Sequence, residues 1–338
     1  MRRSEWNKHP ATVSFLPTII SKKINLNDKW CDYMKKMALS IAVSTVVAAS
    51  GASAATILEQ DNFKLDLEGD FQVNFEKDTA KDSKVQMVYD DMEVKFKPTY
   101  TFDSGLTAFG DLEISFDKEA DADSEAVNML DDAYVGLGYM GATISLGDMV
   151  YASDDFGIGQ DFELGVGGAG LGSTSGSDVI KATYSNDMFT AKASYDMEED
   201  DDESSADLYG ETTFGDITVA GVFQSYKSDG DADSVASFGV SGSYSTDMFT
   251  VGAEFTSTDE TDAEAVGWEV AGTYSATDAV TLGAGVGQTI PDEGDSVTGY
   301  YANVKYAFAS KAYTFVEIGG DDTDGSELGY AAGLAVKF

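Results

Sequence analysis

The stretch FKLDLEGDFQVNFE, residues 63–76, alternates without a break. Phe63, Leu65, Leu67, Gly69, Phe71, Val73 and Phe75 fall on one side; Lys64, Asp66, Glu68, Asp70, Gln72, Asn74 and Glu76 fall on the other. Successive side chains of an extended chain point to opposite faces, so the segment reads as a strand with one apolar and one polar face. The rule returns at 92–102, where Met92, Val94, Phe96, Pro98, Tyr100 and Phe102 oppose Glu93, Lys95, Lys97, Thr99 and Thr101. It holds again at 106–117, where Leu106, Ala108, Gly110, Leu112, Ile114 and Phe116 oppose Thr107, Phe109, Asp111, Glu113, Ser115 and Asp117. No long helical period competes with it. Pro98 is the discordant residue, because proline inside a strand marks an edge or a bulge.

The connections alternate too. Short turns read FDSG, YMGA, YSND, FGDI, YSTD, YSATD and FASKA. Longer, acidic links read EKDTAKDSK, DKEADADSEA, EEDDDESS, KSDGDAD, STDETDAE, PDEGDS and GGDDTDGS, with a further long stretch from Tyr151 to Ser177. Eight long links and seven short turns separate sixteen strands. A weak repeat, TYSNDMFTAKASYD (183–196), SYSTDMFTVGAEFT (243–256) and TYSATDAVTLGAGVG (273–287), suits hairpins in an up-and-down antiparallel sheet.

The N-terminus follows another plan. Lys35 and Lys36 precede an apolar run from Met37 to Ala49, and Ala52-Ser53-Ala54 gives a small-x-small pattern. This is the signature of an export leader, 34–54, with the cut expected after Ala54; the run is too short for a spanning helix of about 20 residues. Residues 1–33 hold the single His (His9), the single Cys (Cys31) and both Arg, and are expected to be an upstream extension of the reading frame with Met34 as the true start. The remaining 55–338 carry 57 acidic residues against 13 Lys, without Arg, Cys or His. Disulfides, thiolate metal sites and catalysis by Cys or His are excluded there. So strong an acidity argues against nucleic acid as a partner, since phosphate binding needs a basic footprint. It suits cations, saline surroundings or a divalent-rich boundary. No cofactor is indicated. No metal site is assigned, because DDTDGSELGYA lacks the final acidic ligand of a Ca²⁺ loop after Gly325.

A soluble sandwich also alternates. Three features favour a membrane barrel instead. Charge is nearly absent from the apolar register. Only a closed barrel lets strands span lipid with every backbone group paired. Short turns against long links, with aromatics such as Tyr184, Phe189, Tyr244, Phe249, Tyr274 and Phe308 beside the turns, match outer-membrane barrels and their girdles. The expected fold is all-β: a transmembrane antiparallel up-and-down β-barrel of about 16 strands over 55–338.

On these grounds, with the hairpin AYVGLGYMGATISLGD (133–148), the long link after it and a terminal Phe338, the chain resembles the general bacterial porin family of Gram-negative outer membranes. The resemblance implies a homotrimer of water-filled pores for passive uptake of small hydrophilic solutes, with the third long link folded inward. It implies that the acids of that link, Asp154, Asp155, Asp161 and Glu163, face a basic cluster on the opposite wall. The family's cluster is largely Arg, which 55–338 lacks. The inward register offers Lys64, Lys95 and Lys97 instead, with Lys181 and Lys192 further on; Lys95 and Lys97 are the foremost substitutes. Glycine-rich sequence in the second half of the link can fold back against a wall. Among the wall carboxylates are Glu93, Asp111 and Glu113, and such acidic rings favour cations. Acidic outer links would meet lipopolysaccharide and its divalent cations. Phe338 resembles the signal read by outer-membrane assembly machinery. Two other readings remain: a substrate-selective channel of the same fold, and a secreted or surface β-protein serving as adhesin or structural layer.

Overall fold

The computed structural model describes residues 54–116, 130–165, 170–197, 204–227, 234–260 and 263–338. Residues 1–53, where the upstream extension and most of the leader are expected, and parts of several acidic links lie outside them. A short β1 (Ala55–Gln60) is followed by β2 (Phe63–Lys77), β3 (Gln86–Thr101), β4 (Thr107–Ser115), β5 (Ala133–Tyr139) and β6 (Ala142–Val150). Then come β7 (Ser175–Ser185), β8 (Phe189–Asp196), β9 (Ser204–Phe214), β10 (Ile217–Lys227) and β11 (Val235–Ser245). The last six are β12 (Phe249–Glu260), β13 (Ala263–Thr277), β14 (Val280–Pro291), β15 (Val297–Ala309), β16 (Ala312–Asp321) and β17 (Gly329–Lys337).

From β2 onward each strand pairs antiparallel with the next, and β17 returns to β2 through Tyr330↔Lys77 to Lys337↔Asp70. Sixteen strands thus close into a ring, which leaves no open edge. The fold is the expected all-β antiparallel barrel. β1 was not foreseen. It pairs with the first half of β2, Ala55↔Leu67 to Gln60↔Phe63, while β17 pairs with the second half. The two therefore lie end to end along one edge of β2.

The distribution of side chains is the inverse of a water-soluble protein. Phe75, Val135 and Val316 are 57%, 65% and 55% exposed, whereas Asn74, Gln224 and Glu317 are 0% exposed. The apolar register faces out and the polar register faces the lumen, as alternation requires.

Local chemistry sets the details. Met140 and Gly141 both have positive φ, 51° and 82°, as a two-residue type I′ hairpin demands. A bulge at Asp91, φ 45°, shifts the β2–β3 register between Asp70 and Gln72 and keeps both halves of β3 in phase with β2. Pro98 sits where the β3–β4 ladder skips from Phe96↔Leu112 to Thr99↔Phe109, which accommodates its missing donor. One expected link is mostly strand: STDETDAE is taken up by β12 and β13, whose ladder runs out to Glu260↔Ala263. Its Ser and Thr residues suit strands, and Ser257 and Thr258 find partners in Val266 and Ala265.

Candidate functional site in the barrel lumen

The inward faces of β2, β3 and β4 carry an alternating mat of charge. Register places Lys95 between Glu68 on β2 and Glu113 on β4, and Lys97 opposite Asp66. Lys95 Nζ lies 3.0 Å from Glu93 and 2.9 Å from Glu113. Lys97 is paired with Glu68 and lies 3.7 Å from Asp111, which also accepts from the Tyr134 hydroxyl at 3.4 Å. Lys64, nearer the short-turn end, meets Asp66 at 2.7 Å. The sequence-derived wall residues Lys95, Lys97, Glu93, Asp111 and Glu113 are thus brought together, and Lys64 stands apart from them.

Glu93, Glu113 and Asp131 bring carboxylate oxygens within 4.8 Å of one another, the spacing of a cation site. Lys95 already bridges two of the three. Its ammonium takes the place a metal would occupy.

The third link begins on the wall of β8 to β10. A 3-10 turn, Ala152–Asp155, is fixed by the Ala152 amide donating to Ser194 Oγ at 2.7 Å. Gln224 Nε2 donates to Ser153 Oγ, Asp207 Oδ1 and the Ser173 carbonyl at 3.1, 2.8 and 2.9 Å. Asp155 pairs with Lys192. Lys181 instead donates to the Val150 carbonyl at 2.7 Å.

Beyond this turn the chain follows inward side chains of successive strands. The Ile158 amide donates to Glu254 on β12 at 2.9 Å, and the Gln160 amide to the Tyr301 hydroxyl on β15 at 2.7 Å. The amides of Phe162, Glu163 and Leu164 donate to Glu317 on β16 at 2.9, 2.9 and 2.7 Å. Glu163 accepts from Gln72 at 3.1 Å and from Asn74, both on β2. Glycine makes room for the apolar residues: a Cβ at Gly239 would stand 2.5 Å from the Phe156 ring, and one at Gly252 3.1 Å from Ile158.

Of the expected link acids and wall lysines, the structure brings together Asp155 and Lys192. Among the described residues neither Asp161 nor Glu163 forms an ion pair, and neither meets Lys95 or Lys97, because Glu68, Glu93, Asp111 and Glu113 already satisfy those lysines. Burial pushes the Asp154 and Asp161 carboxyls up from their usual range. Burial, followed by the Asp90 and Glu76 carboxylates, pushes Glu163 up to about 8. The wall anchors Glu254, Tyr301, Glu317 and Asn303, whose Nδ2 donates to the Gln160 carbonyl at 2.7 Å, were not foreseen. Their sequence signal is faint: an isolated polar residue in an otherwise apolar or small stretch, as in FVEIGG.

Comparison with known proteins gives a consistent picture. A family model described as Gram-negative porin matches residues 38–326. The chain is 26% identical over 336 residues to Porin-like protein H of Photobacterium profundum, covering 90% of this chain and the whole of that protein. A stretch of 129 residues is 30% identical to a monosaccharide porin of Halomonas sp, covering 36% of this chain and 35% of that one. The trimer form of in-vitro folded OmpT from Vibrio cholerae superposes with a TM-score of 0.70 at 21% identity, covering 82% of this chain and all of that one.

Proposed function

The chain belongs to the Gram-negative porin family, and from its lumen we propose a cation-preferring pore narrowed by the third link. As a family member it is an outer-membrane barrel for passive diffusion and performs no covalent chemistry. The family also displaces the reading as a secreted adhesin or structural layer.

The charge census of the wall carries the cation preference. Asp66, Glu68, Glu93, Asp111 and Glu113 stand against Lys64, Lys95 and Lys97, and no arginine occurs in 55–338. Above about pH 8 an ionised Glu163 on the link adds to that surplus, and rings of acidic groups favour cations. The link's bonds to Glu254, Tyr301 and Glu317 support its role as constriction. Homotrimers follow the form taken by the OmpT neighbour. The start of β1 at Ala55 supports a leader removed after Ala54 and a mature barrel over 55–338. Acidic links at the outer rim suit divalent cations shared with lipopolysaccharide.

Reversal potentials across a salt gradient test this reading; anion preference would sink it. The pH dependence has a defined sign. A carboxyl raised to about 8 is ionised above that pH and neutral below it. Cation preference should therefore fall as pH is lowered from 9 to 7, and Glu163→Gln should flatten that step. A wild-type step that survives the substitution would assign it to other groups.

A second reading, a pore tuned to sugars, is favoured by the partial match to the monosaccharide porin. Saturable block of ion current by a monosaccharide would support it, and current reduced only in proportion to bulk conductivity would not.

A further inference from the structure

We propose that Lys305 is the point at which the pore holds the phosphate or carboxylate group of a passing anionic solute. This rests on the reading of the lumen as an open pore narrowed by the third link.

The other lysines that register turns toward the lumen are already satisfied. Lys64 pairs with Asp66, Lys95 with Glu93 and Glu113, Lys97 with Glu68, Lys192 with Asp155 and Lys337 with Asp70. Lys181 donates to the Val150 carbonyl at 2.7 Å, and Lys311 is engaged as well. Among the described residues Lys305 alone of this set has neither a carboxylate nor a hydrogen-bonding partner; its ammonium lies 5.4 Å from the centroid of the Tyr313 ring.

The surroundings explain why it is unpaired. Its cross-strand neighbours on the inward face are Thr281 on β14 and Phe315 on β16, so no acid flanks it on either ladder. Tyr313 is itself fixed, its hydroxyl donating to Gln72 Oε1 at 3.1 Å. The ring face attracts a cation but leaves its charge and its three N–H donors available. Lys305 is half-buried, which keeps the ammonium in place without closing it off from the lumen.

Its level in the pore gives the contact a function. Asn303, two residues earlier on the same face, donates to the Gln160 carbonyl of the link at 2.7 Å. Phe162 of the link stacks on Phe315, with centroids 4.1 Å apart. Lys305 is therefore the next inward position past the link, toward the short turn that joins β15 to β16. An anion reaching it meets an uncancelled charge, whereas at Lys95 or Lys97 it would compete with carboxylates already in place. An ammonium is a compact charge with rotatable donors, so it accepts phosphate and carboxylate alike, and bonds of this charged kind are the strong ones. The acidic lumen still favours cations overall; the contact acts on those anions that enter.

The test measures block of potassium chloride current by inorganic phosphate at neutral pH, in planar bilayers holding barrels recovered from outer membranes. Phosphate should reduce the wild-type single-channel current saturably. Lys305→Gln should raise the half-blocking concentration about tenfold or more, the worth of a hydrogen bond to a charged group. Lys305→Arg should retain the block. Lys337→Gln removes an equal but already paired charge and should move the half-blocking concentration far less. Lys305→Met keeps an apolar stem over Tyr313 and covers the case where the glutamine variant fails to assemble. A wild-type current indifferent to phosphate would overturn the contact, as would a block that survives Lys305→Gln. Equal losses in Lys305→Gln and Lys337→Gln would also overturn it, by assigning the block to net charge. Absence of channels from the wild-type protein would instead overturn the porin reading itself.

Discussion

Replacing Val316 with arginine should cost the lipid-embedded barrel about 2–4 kcal/mol, the range for a basic residue on the lipid face near the bilayer midplane. Val316 lies midway along β16, is 55% exposed, and has Val304 and Ala332 as cross-strand neighbours on the outer face. In a water-soluble sheet, the same change at so exposed a site would fall within about 0.5 kcal/mol. The difference arises because hydrocarbon offers the guanidinium neither water nor a counter-charge. Denaturant titration of barrels refolded into vesicles measures it. A shift within the soluble range would mean that this face is covered by something other than lipid, such as a neighbouring subunit.

Alternation made the ring legible because its cause is local: each residue's face follows from its neighbour's. The charge mat followed in part. Once FDSG fixes the hairpin, Lys95 must lie opposite Glu113, and the pairing within hydrogen-bond distance is a consequence of register. β1 escaped notice because a bulge between Thr56 and Leu58 interrupts the pattern in ATILEQ. The link's contacts with the wall were invisible for a different reason. Contacts from Ile158 to Glu254 and from Glu163 to Glu317 span 96 and 154 residues, and nothing periodic connects them. Gly239, Gly252 and Gly319 read as ordinary strand glycines until the link's side chains are seen in their notches. Lys192 meets the link at Asp155, whereas Lys95 and Lys97 are not free to face it. Four wall carboxylates on β2, β3 and β4 lie closer.

At the seam the same logic yields a second strong prediction. Gly69 belongs to the outward register between Leu67 and Phe71, yet it carries no side chain because Phe338 occupies that space. A Cβ at 69 would stand 2.2 Å from Phe338 Cζ, and the Phe338 and Phe71 rings are 5.4 Å apart. The Phe338 amide donates to the Gly69 carbonyl at 2.9 Å, and the Gly69 amide returns the bond at 3.1 Å. Phe338 thus fills the position between the end of β17 and the start of β1, with the Lys337–Asp70 ion pair beside it. Gly69→Val should cost about 1–3 kcal/mol through overpacking, read as a lower temperature for loss of heat-modifiable gel migration. Combined with Phe338→Ala, which empties the space, Gly69→Val should lose markedly less than the sum of the two single changes. Strict additivity would show that the ring and the glycine do not share that site. We propose in addition that assembly machinery reads the terminal aromatic. On that reading Phe338→Ala should depress assembly in cells beyond its effect on refolding in vitro, whereas Gly69→Val, which leaves the aromatic in place, should weaken both alike. Equal losses in cells and in vitro for Phe338→Ala would confine its role to the seat on Gly69.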